Sequence, residues 1–224
     1  MCIRYEDRNN CCSTQSIKNG KTLRGIQRYR CKVCKSQFQE RYIYKAYKTE
    51  INSQIILLTK EGCGIRSISR ILQISSTTLL KRILQIAKNI KRPYPILKGK
   101  YYEVDEIFTY VKHKANRICI AYSFEIGTGN IIDFVAGRRN KTTLRKVTDT
   151  LVLSEAAKII TDKLNIYKEL IPEKIHSTKF KGINHIERKN LTLRTHIKRL
   201  NRKTICYSKS LAVLTAIVKI YFWS

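Results

Sequence analysis

Acidic residues are scarce in this 224-residue sequence: 16 Asp and Glu stand against 45 Lys and Arg, for a formal charge of +29 at pH 7 and a pI near 10.0. A balance so lopsided disfavours a basic partner and points to a polyanion. The excess is not confined to one arm, since residues 1–99 hold 21 basic against 5 acidic residues and residues 100–224 hold 24 against 11. Long apolar runs are missing too; none approaches the ~18 residues that would cross a bilayer. The opening Met1-Cys2-Ile3-Arg4-Tyr5-Glu6 lacks the apolar stretch of a secretory leader. Neither an internal repeat nor a low-complexity tract occurs. These absences lead us to expect no membrane partner, a cytoplasmic location, and nucleic acid as the polyanion.

What is present divides the chain into three segments, and 43% hydrophobic residues suffice for a real core. Residues 1–45 are short, polar, aromatic and cysteine-bearing, too small to fold without a metal or a partner. Of the eight cysteines, Cys31 and Cys34 have the Cys-x-x-Cys spacing that lets two thiolates share a tetrahedral zinc. A second pair is expected upstream, among Cys2, Cys11 and Cys12, although adjacent cysteines do not form the usual two-residue knuckle. The alternative is a short basic arm with unpaired thiols. In a reducing compartment clustered cysteines hold metal more often than disulfides.

Residues 46–92 show three helical runs: Ile51, Ile55, Leu58; then Ile65, Ile68, Ile71, Leu72; then Leu79, Leu80, Ile83, Leu84, Ala87. Gln73-Ile74-Ser75-Ser76 divides the last two, with a serine placed to cap the third. Three short helices ending in a polar, basic one suit a helix-turn-helix, with Thr77, Thr78, Lys81 and Arg82 as candidates for the major groove. Any small helical bundle has similar periodicity, so charge carries part of this reading. Lys91-Arg92-Pro93-Tyr94-Pro95 disfavours helix and serves as a linker.

From 99 to 224 the period changes. Strands are expected at 101–111, 117–126 and 130–135, the last two divided by Gly127-Thr128-Gly129; a helix follows at 142–153, a short strand at 158–161 and a helix at about 184–200. This order implies an α/β fold, a mixed sheet with helices packed on it. Three acids stand out. Asp105 lies inside the first strand, where alternation puts Glu103 and Asp105 on one face and Glu106 on the other. Asp162 follows the apolar Ile159-Ile160 at the carboxyl end of the short strand. Glu187 begins the last helix and is the only acid after residue 183, against nine Lys or Arg. Three converging carboxylates are what two-metal phosphoryl chemistry requires, with ions about 4 Å apart; the alternative for each acid alone is a solvated surface charge. Arg194, seven residues beyond Glu187, shares its helix face and is placed to hold a phosphate.

The run from Ile186 to Leu200, followed by Arg202 to Ser210, resembles the carboxyl-terminal signature of insertion-sequence-one family transposases of the InsAB type. Asn19-Gly20-Lys21-Thr22, Gln27-Arg28-Tyr29-Arg30-Cys31 and Thr161-Asp162 with Tyr167 resemble further segments of that family. The resemblance covers nearly the whole chain and implies a bacterial or archaeal source. It also implies a zinc ribbon (1–45), a helix-turn-helix (46–92) and an RNase H-like catalytic domain (99–224). The catalytic acids carry over to Asp105, Asp162 and Glu187, holding two Mg2+ or Mn2+ ions per active site. At the first zinc knuckle this chain departs from the pattern, having Arg8-Asn9-Asn10-Cys11-Cys12. Cys12 then stands as third zinc ligand beside Cys31 and Cys34, with the fourth open between Cys2 and Cys11.

The implied function is that of a DNA transposase, which binds the terminal inverted repeats of a mobile element, cuts there and joins the freed 3′-hydroxyl to target DNA. Lys198, Arg199, Arg202 and Lys203 would hold backbone phosphates, and a nucleoid-associated homo-oligomer on double-stranded DNA is expected. The rivals are a catalytically decayed DNA-binding regulator of the same element, a nuclease or resolvase on the same fold, and a basic structural protein.

Overall fold

The computed structural model describes residues 13–93, 98–178 and 185–224. The chain forms two compact units, Met1–Ile51 and Asn52–Ser224.

The first unit contains an antiparallel sheet of β1 (Ser16–Lys21), β2 (Gln27–Cys31) and β3 (Gln37–Gln39), in that order. Tyr29 and Phe38 are cross-strand partners, and their rings stack with centroids 5.5 Å apart. The turn from β2 to β3 closes when the Cys31 amide donates to the Ser36 carbonyl (2.9 Å) and Lys35 takes a left-handed φ of 60°. It carries Cys31, buried, and Cys34, half-buried with its Sγ 2.9 Å from Ser36 Oγ. Cys12, and with it Cys2 and Cys11, lies outside the described residues.

The second unit begins with α1 (Ile51–Lys60), α2 (Ile65–Leu72) and α3 (Ser76–Asn89). Ser75 caps α3, its Oγ accepting from the Thr78 amide at 3.1 Å, as the sequence predicts. The buried stripes Ile68, Leu72 and Leu79, Ile83, Ile86 follow helical spacing.

Five strands form the main sheet: β4 (Tyr101–Val111), β5 (His113–Glu125), β6 (Ile131–Gly137), β7 (Lys158–Ile160) and β8 (His176–Ser177). Their order is β6-β5-β4-β7-β8. β4, β5 and β6 run antiparallel, while β7 lies parallel to β4 and β8 parallel to β7. The glycines of the Gly127-Thr128-Gly129 turn have positive φ, which the tight β5–β6 connection needs. Helix α4 (Lys141–Leu153), capped by Asn140, packs Leu144, Val147 and Leu151 on one sheet face against Tyr102, Val104, Ile159 and Tyr167.

Four differences from the sequence expectations matter. Helix α5 (Asn165–Leu170) and β8 were not anticipated, because six and two residues are too few to show a period. The helix expected at 184–200 is α6 (His185–His196) followed by a separate 3-10 turn, Lys198–Leu200. The carbonyls there accept from side chains: Lys198 O from Thr204 Oγ1 (3.0 Å) and Arg199 O from Thr109 Oγ1. Beyond 200 the sequence reading assigned no element, whereas α7 (Leu211–Trp223) packs between α3 and β6. Trp223 Nε1 donates to the Ile131 carbonyl (2.9 Å), and the Phe134 ring lies 5.4 Å from that of Phe222. Finally, α3 rests on α7, and residues 52–92 fall in the same compact unit as the sheet. Among the described residues no helix is long and apolar enough to cross a membrane.

Candidate active site

The site is set by the register of two strands. β7 lies parallel to β4 with Tyr101 opposite Lys158 and Glu103 opposite Ile160. Two residues beyond that last pair stand Asp105, in the middle of β4, and Asp162, past the carboxyl end of β7, close enough for the Asp162 charge to act on Asp105. The third acid comes from α6, which crosses the same face of β4. Glu103, Asp105, Asp162 and Glu187 line one open cleft together with Thr161 and Thr178.

Hydrogen bonds from the odd-numbered positions of β4 hold α6 in place. Glu103, 2% exposed, accepts the Ile186 amide at 2.7 Å, and His185 Nδ1 lies 3.4 Å from its other oxygen. A carboxylate on a strand thus satisfies an amide in the first turn of α6, where side-chain acceptors and negative charge both stabilise. One turn on, Asn190 Nδ2 donates to Asp105 Oδ2 at 2.6 Å. Asn190 Oδ1 in turn accepts the Tyr122 hydroxyl at 2.8 Å. Tyr122 is the cross-strand partner of Asp105 on β5, which brings its hydroxyl to the same place. Asp105 Oδ1 accepts the Glu106 amide at 2.7 Å. Burial raises the pKa of Asp105 above its ordinary value; its two hydrogen bonds lower it, and the charges of Asp162 and Glu187 raise it further.

On the opposite face Glu106 is buried, accepting the Tyr167 hydroxyl at 2.8 Å. Its pKa is raised, first by burial, despite the Tyr167 bond and the Arg139 charge. Arg139 Nη2 stands 3.5 Å from both Glu106 Oε2 and Asp162 Oδ2, so one guanidinium bridges the two acids. Asp162 Oδ1 also accepts the Leu164 amide at 3.1 Å.

Among the described residues no three His, Cys, Asp or Glu side chains are grouped so as to hold one metal ion. The chemistry of the donor set nevertheless suits a hard divalent cation: carboxylate oxygens only, in a cleft where Asp105 feels two like charges.

The basic candidates separate. Arg194 is half-buried near Asp105 and Arg202; desolvation, then the Arg202 charge, lower its pKa, and its Nε has no partner among the described residues. Lys198, Arg202 and Lys203 are exposed. Arg199 is half-buried: its guanidinium donates to Ser208 Oγ at 2.7 Å, and desolvation lowers its pKa. It fastens the loop after the 3-10 turn. On α3, Thr77 and Lys81 are exposed and Arg82 is half-buried. Thr78 gives its amide to the Ser75 cap and accepts from Ser75 Oγ at 2.8 Å, so it serves the cap.

The family model for IS1 transposase matches residues 101–223, a span that holds all three acids and stops short of α1–α3. The chain belongs to the IS1 transposase family. Among curated relatives, the insertion element iso-IS1n protein InsB of Shigella dysenteriae is 35% identical over 111 residues, covering 50% of this chain and 85% of that protein. The insertion element IS1 protein InsB of Shigella flexneri is 29% identical over 119 residues, covering 53% of this chain and 91% of that protein. A chain in the cryoEM structure of the simian T-cell lymphotropic virus intasome in complex with PP2A regulatory subunit B56 gamma shares 15% identity at a TM-score of 0.36. The alignment covers 74% of this chain and 65% of that one.

In this member of the family, sequence reasoning placed Glu103 and Glu106 on their strand faces without giving them a role in the site, and it passed over Tyr122, Arg139 and Asn190. Of these three, Asn190 left a readable signal: it lies three residues after Glu187 and four before Arg194, on their helix face.

Proposed function

We propose that this chain cleaves the ends of an insertion sequence and joins the resulting 3′-hydroxyl to target DNA, using Asp105, Asp162 and Glu187 to hold a pair of Mg2+ or Mn2+ ions. The observation that carries the reading is the single cleft that Asp105, Asp162 and Glu187 line together, just beyond the β4–β7 pairing. The sheet order is compatible with an RNase H-like domain. A divalent pair bound there would supply Lewis-acid stabilisation of the attacking and departing oxygens. The residues of the chain do the rest: Asp105 is oriented by Asn190, Arg194 is placed for a phosphate beside Asp105, and Lys198, Arg202 and Lys203 offer exposed charge to the backbone. No covalent protein intermediate is needed.

The test is a repeat-ended duplex incubated with the protein and target DNA, with and without magnesium. We expect 3′-end cleavage and joined products only with the metal. Binding without cleavage would instead indicate a regulator, and cleavage without joining a nuclease.

For recognition we propose that α1–α3 act as a helix-turn-helix whose exposed α3 residues, Thr77 and Lys81 with Arg82, meet the terminal repeat. Changing Lys81→Ala with Arg82→Ala should reduce the preference for repeat over random DNA by about 10-fold, as loss of one good base contact does. Competition binding at fixed salt reads this directly; an equal loss for both DNAs would assign the pair to phosphates.

For residues 1–45 we propose a zinc-ribbon-like module in which Cys31 and Cys34, on one turn, supply two thiolates and the segment around Cys12 supplies the remainder. Purified protein should contain about one zinc per chain. Cys31→Ser with Cys34→Ser should remove it and repeat-specific binding together, and metal analysis that finds none in the parent protein would reject the module.

A further inference from the structure

The Asn190 side chain joins α6 to both β4 and β5. Its Nδ2 donates to Asp105 Oδ2 at 2.6 Å and its Oδ1 accepts from Tyr122 at 2.8 Å. This orientation of the amide is forced, since turning it over would set an oxygen against the carboxylate. Tyr122 is fully buried, and its hydroxyl also lies 3.4 Å from the Ile186 carbonyl. Glu103 ties the start of the same helix at the Ile186 amide. Glu187 therefore sits between two ties to one strand, at 186 and at 190, while the Glu106 amide fixes the other oxygen of Asp105. Each Asp105 oxygen retains lone-pair capacity, so this arrangement orients the carboxylate without exhausting it.

We infer that Asn190 is a positioning residue of this site: it relays the rigid Tyr122 hydroxyl to Asp105 and, with Glu103, fixes α6 on β4 so that Glu187 is presented to the same cleft. The inference rests on Asp105 and Glu187 being metal-holding residues. Partners that orient metal ligands typically change affinity or activity by about 10- to 100-fold when removed.

The experiment uses the full chain and Mn2+ as probe, with the free ion measured by electron paramagnetic resonance. Hydrogen exchange of the metal-free protein is followed in parallel at residues 186–190. Asn190→Ala should weaken Mn2+ binding about 10- to 100-fold and speed exchange in α6. Tyr122→Phe should act in the same direction more weakly, because the amide remains but is free to turn. Glu103→Gln keeps an acceptor for the Ile186 amide and should retain exchange protection that Glu103→Ala loses. If Asn190→Ala does not fold, Tyr122→Phe decides, since it removes one buried oxygen and no carbon. Mn2+ affinity and α6 exchange both unchanged in a folded variant would overturn the inference. If the parent protein binds no Mn2+, the metal reading fails on its own; exchange then decides whether the ties hold α6, faster exchange supporting them and unchanged exchange rejecting them.

Discussion

Asp162→Asn is expected to lower cleavage and strand transfer by a factor on the order of 10^3 or more, the scale of losing a member of a cooperating catalytic set. Repeat-DNA affinity should stay nearly unchanged. The substitution leaves the fold intact for a physical reason: Asp162 is exposed beyond the end of β7, and its structural bonds are one Leu164 amide, which an Asn carbonyl can also accept, and a long ion pair to Arg139. What it removes is an anionic oxygen beside Asp105. Asp105→Asn and Glu187→Gln should lose as much, and combinations should lose no more, since each destroys the same constellation. Gel-shift and strand-transfer assays on the same preparations separate binding from chemistry; retained transfer by Asp162→Asn would reject the triad.

Gly62→Ala should destabilise the second unit by about 2–5 kcal/mol, combining a left-handed backbone with overpacking. Gly62 lies in the α1–α2 turn at a φ of +73°, and a Cβ there would stand 2.0 Å from the backbone oxygen of His196, the last residue of α6. Backbone on both sides leaves no flexible side chain to yield. The turn of the proposed DNA-reading helices thus presses on the end of the helix that carries Glu187. Gly64→Ala is the control: its Cβ would meet only Ser67 Oγ at 4.0 Å, and the change should cost under about 1 kcal/mol. Urea unfolding of both variants measures the difference. A loss below about 0.5 kcal/mol in Gly62→Ala, the usual range of surface changes, would mean that the turn gives way and the two helices are not pressed together.

Local pattern by itself determined a good deal. Period-two alternation located β4 at its observed bounds and separated Glu103 and Asp105 from Glu106. Helical spacing located α1–α3, serine chemistry the cap of α3, and apolar residues before an acid the β7–Asp162 junction. Charge pointed to a polyanion, and the long run after Ile186 to the family. These signals belong to neighbours along the chain, where steric preference and periodicity act directly. Tertiary structure alone decided the rest. Periodicity says which face a residue takes but not which strand lies beside it, so the meeting of Asp105 and Asp162 in one cleft awaited the pairing of β7 with β4. Tyr122 reaches Asn190, 68 residues away in sequence, only because β5 pairs with β4 and α6 packs on β4. Arg199 reads as one more surface cation until Ser208 folds back to accept its guanidinium. The apolar α7, with no polar face to mark it as an exposed helix, found its meaning only when α3 and β6 closed over it; burial between two partners is a property of the assembled unit, and no single segment encodes it.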